Sequence, residues 1–269
     1  VVKIGWLQDH VQIQGGAELS SAALVDAAPE WAEIVFCPEN RRPPEDLEVY
    51  VLQNVVTYGR RWNEVLDGKR LVKCFRDPWH PGDWAFRRCV LDNLIGAVFN
   101  SPLSNATCPW PFDAPRLIVP PPVDLEAFRA AALPAEQRRG NVLLSARLDY
   151  LKGFHRAVDW VLMHDEPLEV YGYLNHNWAW PLPENVIYHG PVEYTRVPAV
   201  LGKAKRFVFL PAGDESFSRT TVEAWAAGCE LVVDKIKIGA MYWLQNEPQA
   251  LEDDRPVTTF WETLASWIL

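Results

Sequence analysis

Short apolar runs alternate with stretches of helical spacing along almost the whole chain. Val1–Leu7, Trp31–Phe36, Glu48–Leu52, Leu71–Phe75 and Ala97–Asn100 are mostly apolar and too short for helices, which predicts buried strands. The same grammar returns in Asn141–Ser145, Leu168–Tyr171, Val186–His189, Phe207–Leu210 and Glu230–Val233. Between these runs, residues 17–28 and 154–163 read as helices. Phe260, Trp261, Leu264, Trp267 and Ile268 fall near helical spacing in a terminal amphipathic helix over 258–269. Strands that alternate with helices imply an α/β protein with parallel sheets.

Pro120, Pro121 and Pro122 can neither continue a helix nor enter a central strand, so they read as a stiff connector. The organisation expected is a domain over 1–119, a proline-rich linker over 120–134 and a second domain over 135–269.

Composition narrows the function classes. With 269 residues, 49% hydrophobic and 23% charged, the chain is long enough for two modest globular domains. A formal net charge of −9 and a pI near 5.2 argue against a broad nucleic-acid surface, though a local basic cleft is compatible with them. The five cysteines, Cys37, Cys74, Cys89, Cys108 and Cys229, form no Cys-x-x-Cys pair, which fits buried thiols in a reducing cytoplasm and no structural metal. No apolar run has the length of a membrane span. The chain opens on Val1, so removal of upstream residues is expected.

Chemistry concentrates where predicted strands give way to helices. After the run Arg206–Leu210 comes the loop Pro211–Ser218, then a helix that Gly228 ends. The first amides of that helix, around Ser218–Thr221, lack intrahelical acceptors and favour an anion such as phosphate. Glu215 sits in the loop, where a carboxylate can grip hydroxyls, and Glu223 lies about a turn into the helix, placed for a second polyol group. Arg147 and Lys152, between the strand ending at Ser145 and the helix from Phe154, supply two cations suited to a diphosphate. Gly15 and Gly16 open the first helix with backbone amides that no Cβ shields. Arg76 and Asp77 end the fourth strand, where Arg76 can stabilise phosphate charge and Asp77 can take a proton, or the two can form a structural ion pair. His80 stands close by as another acid–base candidate. His189 is either a solvated strand-end side chain or a ligand contact. Trp79, Trp84, Trp110, Trp178 and Trp180 fall in predicted loops and read as packing anchors or sugar platforms.

Taken in order, these elements resemble the signature of the retaining GT-B glycosyltransferases of family 4. The resemblance rests on Gly15-Gly16-Ala17-Glu18, the proline turn followed by Val123-Asp124 and Phe128, Arg147 with Lys152-Gly153, and Glu215 and Glu223 followed by Ala224-x-Ala226-x-Gly228. It implies two Rossmann-like domains facing an interdomain cleft, with the terminal helix crossing back to the first domain. It also implies transfer of a hexosyl unit from a nucleotide diphosphate sugar, UDP- or GDP-linked, to a carbohydrate or other hydroxyl acceptor, with retention and without metal or other cofactor. Donor contacts are then expected from Gly15, Gly16, Arg147, Lys152, His189, Gly190, Phe217, Ser218, Arg219, Thr220 and Glu223, with Glu223 on the ribose. Glu215 would steady the anomeric centre, while Asp77 and Arg76 serve the acceptor side. The chain departs from the pattern at Arg76, which replaces a histidine, at Ser218 and Ala146, which replace glycines, and at Pro121-Pro122. A GT-B epimerase or phosphorylase, or a binding subunit without catalysis, are the alternative readings, and the acidic charge disfavours a nucleic-acid acceptor.

Overall fold

The computed structural model describes residues 1–9, 15–53, 55, 58–76, 84–174 and 181–269, with the backbone alone at 84–87. The chain divides into two compact units, Val1–Pro122 with Gln245–Leu269, and Val123–Leu244.

Unit 1 is built on a parallel sheet of β1 (Val2–Leu7), β2 (Ala32–Phe36), β3 (Val49–Leu52), β4 (Arg70–Phe75), β5 (Leu94–Phe99) and β6 (Arg116–Ile118), in the order β2-β1-β3-β4-β5-β6. Helices α1 (Gly16–Asp26), α2 (Trp62–Leu66), α3 (Trp84–Asp92) and α4 (Pro102–Ala106) lie between its strands. Trp84 therefore opens a helix; it does not sit in a loop. Ile4 pairs with Val49 and Trp6 with Val51, so these residues share a face with Val72, Cys74 and Val98. The alternate residues Leu7, Tyr50, Leu52 and Leu71 fill a second core with Trp62 and Leu66 of α2. The period-two alternation of strand side chains thus gives the sheet two buried faces.

Unit 2 repeats the plan with β7 (Arg139–Leu148), β8 (Leu168–Leu174), β9 (Val186–Gly190), β10 (Ala204–Phe209) and β11 (Glu230–Val233), all parallel in the order β11-β10-β7-β8-β9. Its helices are α5 (Leu125–Ala131), α6 (Phe154–His164), α7 (Val197–Lys203), α8 (Arg219–Ala226) and α9 (Ala240–Asn246). Residues 123–131 of the expected linker thus belong to unit 2, where Asp124 caps α5 by accepting the amide of Ala127 at 3.1 Å.

The last helix, α10 (Arg255–Ile268), completes the first core of unit 1. Phe260 and Trp261 pack on Trp6 at centroid distances of 6.3 and 6.2 Å, and Trp261 Nε1 donates to the carbonyl of Leu24 on α1. Trp267 lies so close to β5 that a Cβ on Gly96 would fall 2.1 Å from its ring, which only glycine permits. Trp6, Trp62, Trp243 and Trp261, each no more than 5% exposed, are core residues. Among the described residues, no helix is long and apolar enough to cross a membrane.

Candidate functional site

The strand order of unit 2 reverses beside β7, whose neighbours are β8 on one side and β10 on the other. In open α/β sheets the crevice beyond the carboxyl ends at such a reversal is where ligands bind. Two loops leave the sheet there, 149–153 after β7 and 210–218 after β10. Pairing of β7 with β10 makes them neighbours, and Ala212 N donates to Leu151 O at 3.0 Å. Gly153 has φ +71°, and a Cβ there would sit 1.9 Å from Leu210 O, so glycine alone allows the loops this approach. Arg156 of α6 donates to Pro211 O at 2.6 Å. From the other side, Glu215 N donates to Lys237 O at 2.7 Å and Gly239 N to Glu215 O at 2.9 Å. Glu215 is thus held at its backbone while its side chain projects from a pinned loop.

Lys152 Nζ meets both carboxylate oxygens of Glu215, at 2.7 and 2.8 Å. The side chains are 30% and 16% exposed, so the pair is only partly buried. Asp149 accepts the Lys152 amide at 2.8 Å, and its other oxygen lies 3.3 Å from Arg147 Nε. Arg147 belongs to β7 itself, which runs on to Leu148 beyond the strand expected from sequence, and its side chain is largely exposed. Lys152 and Glu215 are therefore brought together, whereas Arg147 points into solvent beside Asp149.

The turn into α8 is made by Ser218 at φ +72°, a left-handed conformation that a non-glycine residue adopts at a cost. Its hydroxyl is 2.8 Å from that of Thr221. Phe217 is buried, and its carbonyl accepts from Ala240 N. Thr220 is half-buried at the helix start.

Glu223 lies in a different setting, 1% exposed on the inner face of α8. Tyr194 donates its hydroxyl to Glu223 Oε1 at 2.9 Å, and Arg219, one turn earlier, places Nε 3.4 Å from the same oxygen. Arg219 also donates to the Tyr194 hydroxyl at 3.0 Å. Burial raises the Glu223 carboxyl above its ordinary range against the pull of Arg219 and Tyr194, and burial likewise pushes the Tyr194 phenol up to about 12. Tyr194, absent from the sequence-based expectation, comes from a short turn before α7 that carries no pattern of its own.

His189 and Gly190 end β9, the edge strand, which β8 separates from β7. Two strand spacings put them about 10 Å from β7 along the sheet. The His189 ring stacks on Tyr171 at 4.6 Å, with Nε2 3.3 Å from Glu169 Oε2.

In unit 1, Gly15 caps α1 and Gly16 opens it. The sheet order reverses beside β1, and the carboxyl ends of β1, β3, β4 and β5 carry the polar residues Asp9, Gln53, Arg76 and Asn100, all buried. Arg76 Nε donates to Gln53 Oε1 at 2.6 Å, and among the described residues the buried Gln53 Nε2 has no hydrogen-bond partner. The sequence signal for Gln53 was available: it is the polar residue that directly follows an apolar strand. Asp77 lies outside the described residues, as do Trp79, His80, Trp178 and Trp180. Trp110 is half-buried. Among the described residues, no group of His, Cys, Asp and Glu is arranged to hold a metal ion.

No protein-family model matches the chain, and no curated protein matches it in sequence. Solved structures do. HepE from Anabaena, in complex with UDP and glucose, superposes with a TM-score of 0.65 at 12% identity, over 99% of this chain and 95% of that one. Sucrose-phosphate synthase from Thermosynechococcus elongatus gives 0.66 at 13% identity over 99% and 91%. AviGT4, a glycosyltransferase involved in avilamycin A biosynthesis, gives 0.61 at 16% identity over 98% and 88%. At these identities the likeness shows the fold: two α/β units on parallel sheets of six and five strands, the GT-B architecture of those glycosyltransferases.

Proposed function

We propose that this chain is a hexosyltransferase of the family 4 kind, moving a hexosyl unit from a nucleotide diphosphate sugar to an acceptor hydroxyl with retention and without a metal ion. The observation that carries the reading is the meeting of Lys152 and Glu215 on the two loops that flank the strand reversal of unit 2. The GT-B fold supports it, and the UDP and glucose in the HepE complex favour a uridine donor.

In this reading the diphosphate takes Lys152 Nζ away from Glu215. Arg147 swings in from solvent and the opening amides of α8, from Ser218 to Thr220, add their dipole to the same anion. Released from the lysine, Glu215 turns its carboxylate to the sugar hydroxyls and to the positive charge that develops at the anomeric carbon. The bond from that carbon to the diphosphate breaks, a bond to the acceptor oxygen forms, and the acceptor proton passes to Asp77. Gly15 and Gly16 serve the donor phosphates, His189 and Gly190 border the base, and Arg76 stabilises charge on the acceptor side. Phe217 and Arg219 set the helix start, and Glu223 holds the ribose through the rim of its Tyr194–Arg219 network.

Thermal-shift measurement with UDP, GDP, ADP and their sugars tests the donor class, since a ligand at about 100 times its Kd stabilises the native state by about 2.7 kcal/mol. A uridine or guanosine diphosphate sugar is expected to raise Tm, and donor hydrolysis without acceptor is expected to be slow but measurable. Lys152→Ala should weaken donor binding at least about tenfold. No shift with any nucleotide sugar, or unchanged donor affinity in Lys152→Ala, would overturn the proposal.

A further inference from the structure

We infer that Lys237 is a positioning residue for Glu215: it fixes the backbone from which the Glu215 carboxylate reaches the donor, an inference that rests on the transferase reading. Lys237 belongs to none of the sequence motifs and lies in the segment between β11 and α9. It grips the Glu215 loop at two points. Its carbonyl accepts from Glu215 N at 2.7 Å, and its Nζ donates to Ala212 O at 2.9 Å. One residue thus closes the turn 212–215 from both ends.

The segment that carries Lys237 is itself firmly seated. Ile238 and Ala240 are no more than 1% exposed, and Ile238 pairs with Glu215 in a parallel bridge. Gly239 N donates to Glu215 O at 2.9 Å and Ala240 N to Phe217 O at 2.8 Å. Asp234 accepts the amides of Ile236 and Lys237 at 3.3 and 3.4 Å, and its other oxygen lies 3.9 Å from Arg156 Nη1. Ahead of Glu215 the loop depends more on side chains. Arg156 holds Pro211 O and the Lys237 ammonium holds Ala212 O. Gly213 and Asp214, between the two grips of Lys237, belong to no helix or strand, and the glycine adds backbone freedom. A hydrogen bond from an ammonium is roughly twice as strong as one between neutral groups, and Lys237 is half-buried, which limits competition from water.

This anchoring bears on turnover. Glu215 has to exchange Lys152 for the sugar while its backbone stays in place, and a misplacement of about 1 Å near a reacting centre can cost about 100-fold in rate. Lys152 and Arg147 stand on β7 and the loop after it, so the diphosphate keeps its contacts when the Glu215 loop shifts. Loss of the Lys237 grip should therefore lower kcat and spare donor affinity.

Three full-length variants test this. Lys237→Met keeps most of the stem and loses the donor group, Lys237→Arg restores a cationic donor, and Lys235→Met removes an exposed lysine of the same segment as a control. Donor hydrolysis and calorimetry, with UDP-glucose and GDP-glucose as the probes, are combined with hydrogen–deuterium exchange over residues 211–217. Lys237→Met is expected to lower kcat at least about tenfold with donor affinity within about twofold of wild type, and to speed exchange over 211–217 about fivefold or more. Lys237→Arg should recover most of both effects, and Lys235→Met should show neither. Unchanged exchange over 211–217 in Lys237→Met, or faster exchange without loss of turnover, would overturn the inference. Faster exchange across the whole chain would overturn it as well, because Lys237 would then act on stability alone. So would a fall in donor affinity that matches the fall in kcat, since Lys237 would then contact the donor itself. A wild type that neither binds nor hydrolyses either nucleotide sugar counts against the transferase reading, and the exchange comparison still decides whether Lys237 anchors the loop.

Discussion

Glu215 and Glu223 belong to one short stretch of chain, yet they meet opposite surroundings. Glu215 keeps part of its side chain exposed at the end of the sheet and is paired with a flexible ammonium that is more exposed still. Glu223 is enclosed, fixed by a tyrosine hydroxyl and a guanidinium that are themselves poorly exposed. A charge at the surface can exchange one partner for another at little cost, because water covers the interval between them. A desolvated carboxylate has no such interval, and its partners are structural necessities. The contrast assigns mobility to the side chain of the first glutamate and rigidity to the second.

The largest effect that can break this comparison is on stability. Glu223→Ala leaves the Arg219 guanidinium buried beside an empty volume and should cost about 3–5 kcal/mol in denaturant unfolding. Glu223→Gln keeps the shape and an acceptor for Tyr194, so it should recover most of that loss. The pair also separates by pH. The folded Glu223 carboxyl holds its proton to higher pH than the unfolded one. Its contribution is therefore fully present below about pH 4.3 and is lost as pH rises through the raised folded value. Glu223→Gln has no such proton, so unfolding free energies measured across that range should show it gaining on the wild type as pH increases. Parallel curves would mean that Glu223 is not desolvated.

Glu215→Ala should show the converse. Stability should change by about 1 kcal/mol or less, since Lys152 can turn to water. Donor turnover is expected to fall on the order of 100-fold, about 2.7 kcal/mol of activation free energy, with donor affinity nearly unchanged. Measured kcat loss that matches loss of folded protein would erase the distinction. A smaller effect is expected from Tyr194→Phe, which removes one hydroxyl from both Glu223 and Arg219. It should cost about 1–2 kcal/mol in the same unfolding assay without the turnover defect of Glu215→Ala.

The sequence made the sheets legible because central parallel strands are apolar on both faces, as Val49–Leu52 shows with every residue buried. β6 escaped for the opposite reason: three residues at a sheet edge, opening on Arg116, have no periodicity to read. β7 came out longer than its apolar run because its pairing with β8 resumes after an irregularity between Leu144 and Arg147, which carries the arginine onto the strand. The loop positions of Lys152 and Glu215 followed from strand-to-helix order, and their contact followed only from which strands are neighbours. The burial of Glu223 was beyond local reading, since Tyr194 reaches it from 29 residues away. Gln53 was passed over because a single glutamine after a strand acquires meaning only when its neighbours across the sheet are known to be buried and polar as well.

Ser218 is the point at which the two environments part, and it offers the finest test. With φ at +72°, its backbone turns the chain from the Glu215 loop into α8. Relief of the left-handed conformation by Ser218→Gly should return about 1 kcal/mol, and loss of the contact with Thr221 should remove a similar amount, so net stability should move by about 0.5 kcal/mol or less. Ser218→Ala keeps the strain and loses the contact, and should be less stable than Ser218→Gly by about 1 kcal/mol. If Glu215 is the mobile member, Ser218→Gly should also loosen its loop and reduce donor affinity by a small factor while the Glu223 pH signature stays in place. Equal stability of the glycine and alanine variants would show that Ser218 stores no strain, and that the pinned backbone on either side, through Lys237 and Ala240, sets the turn instead.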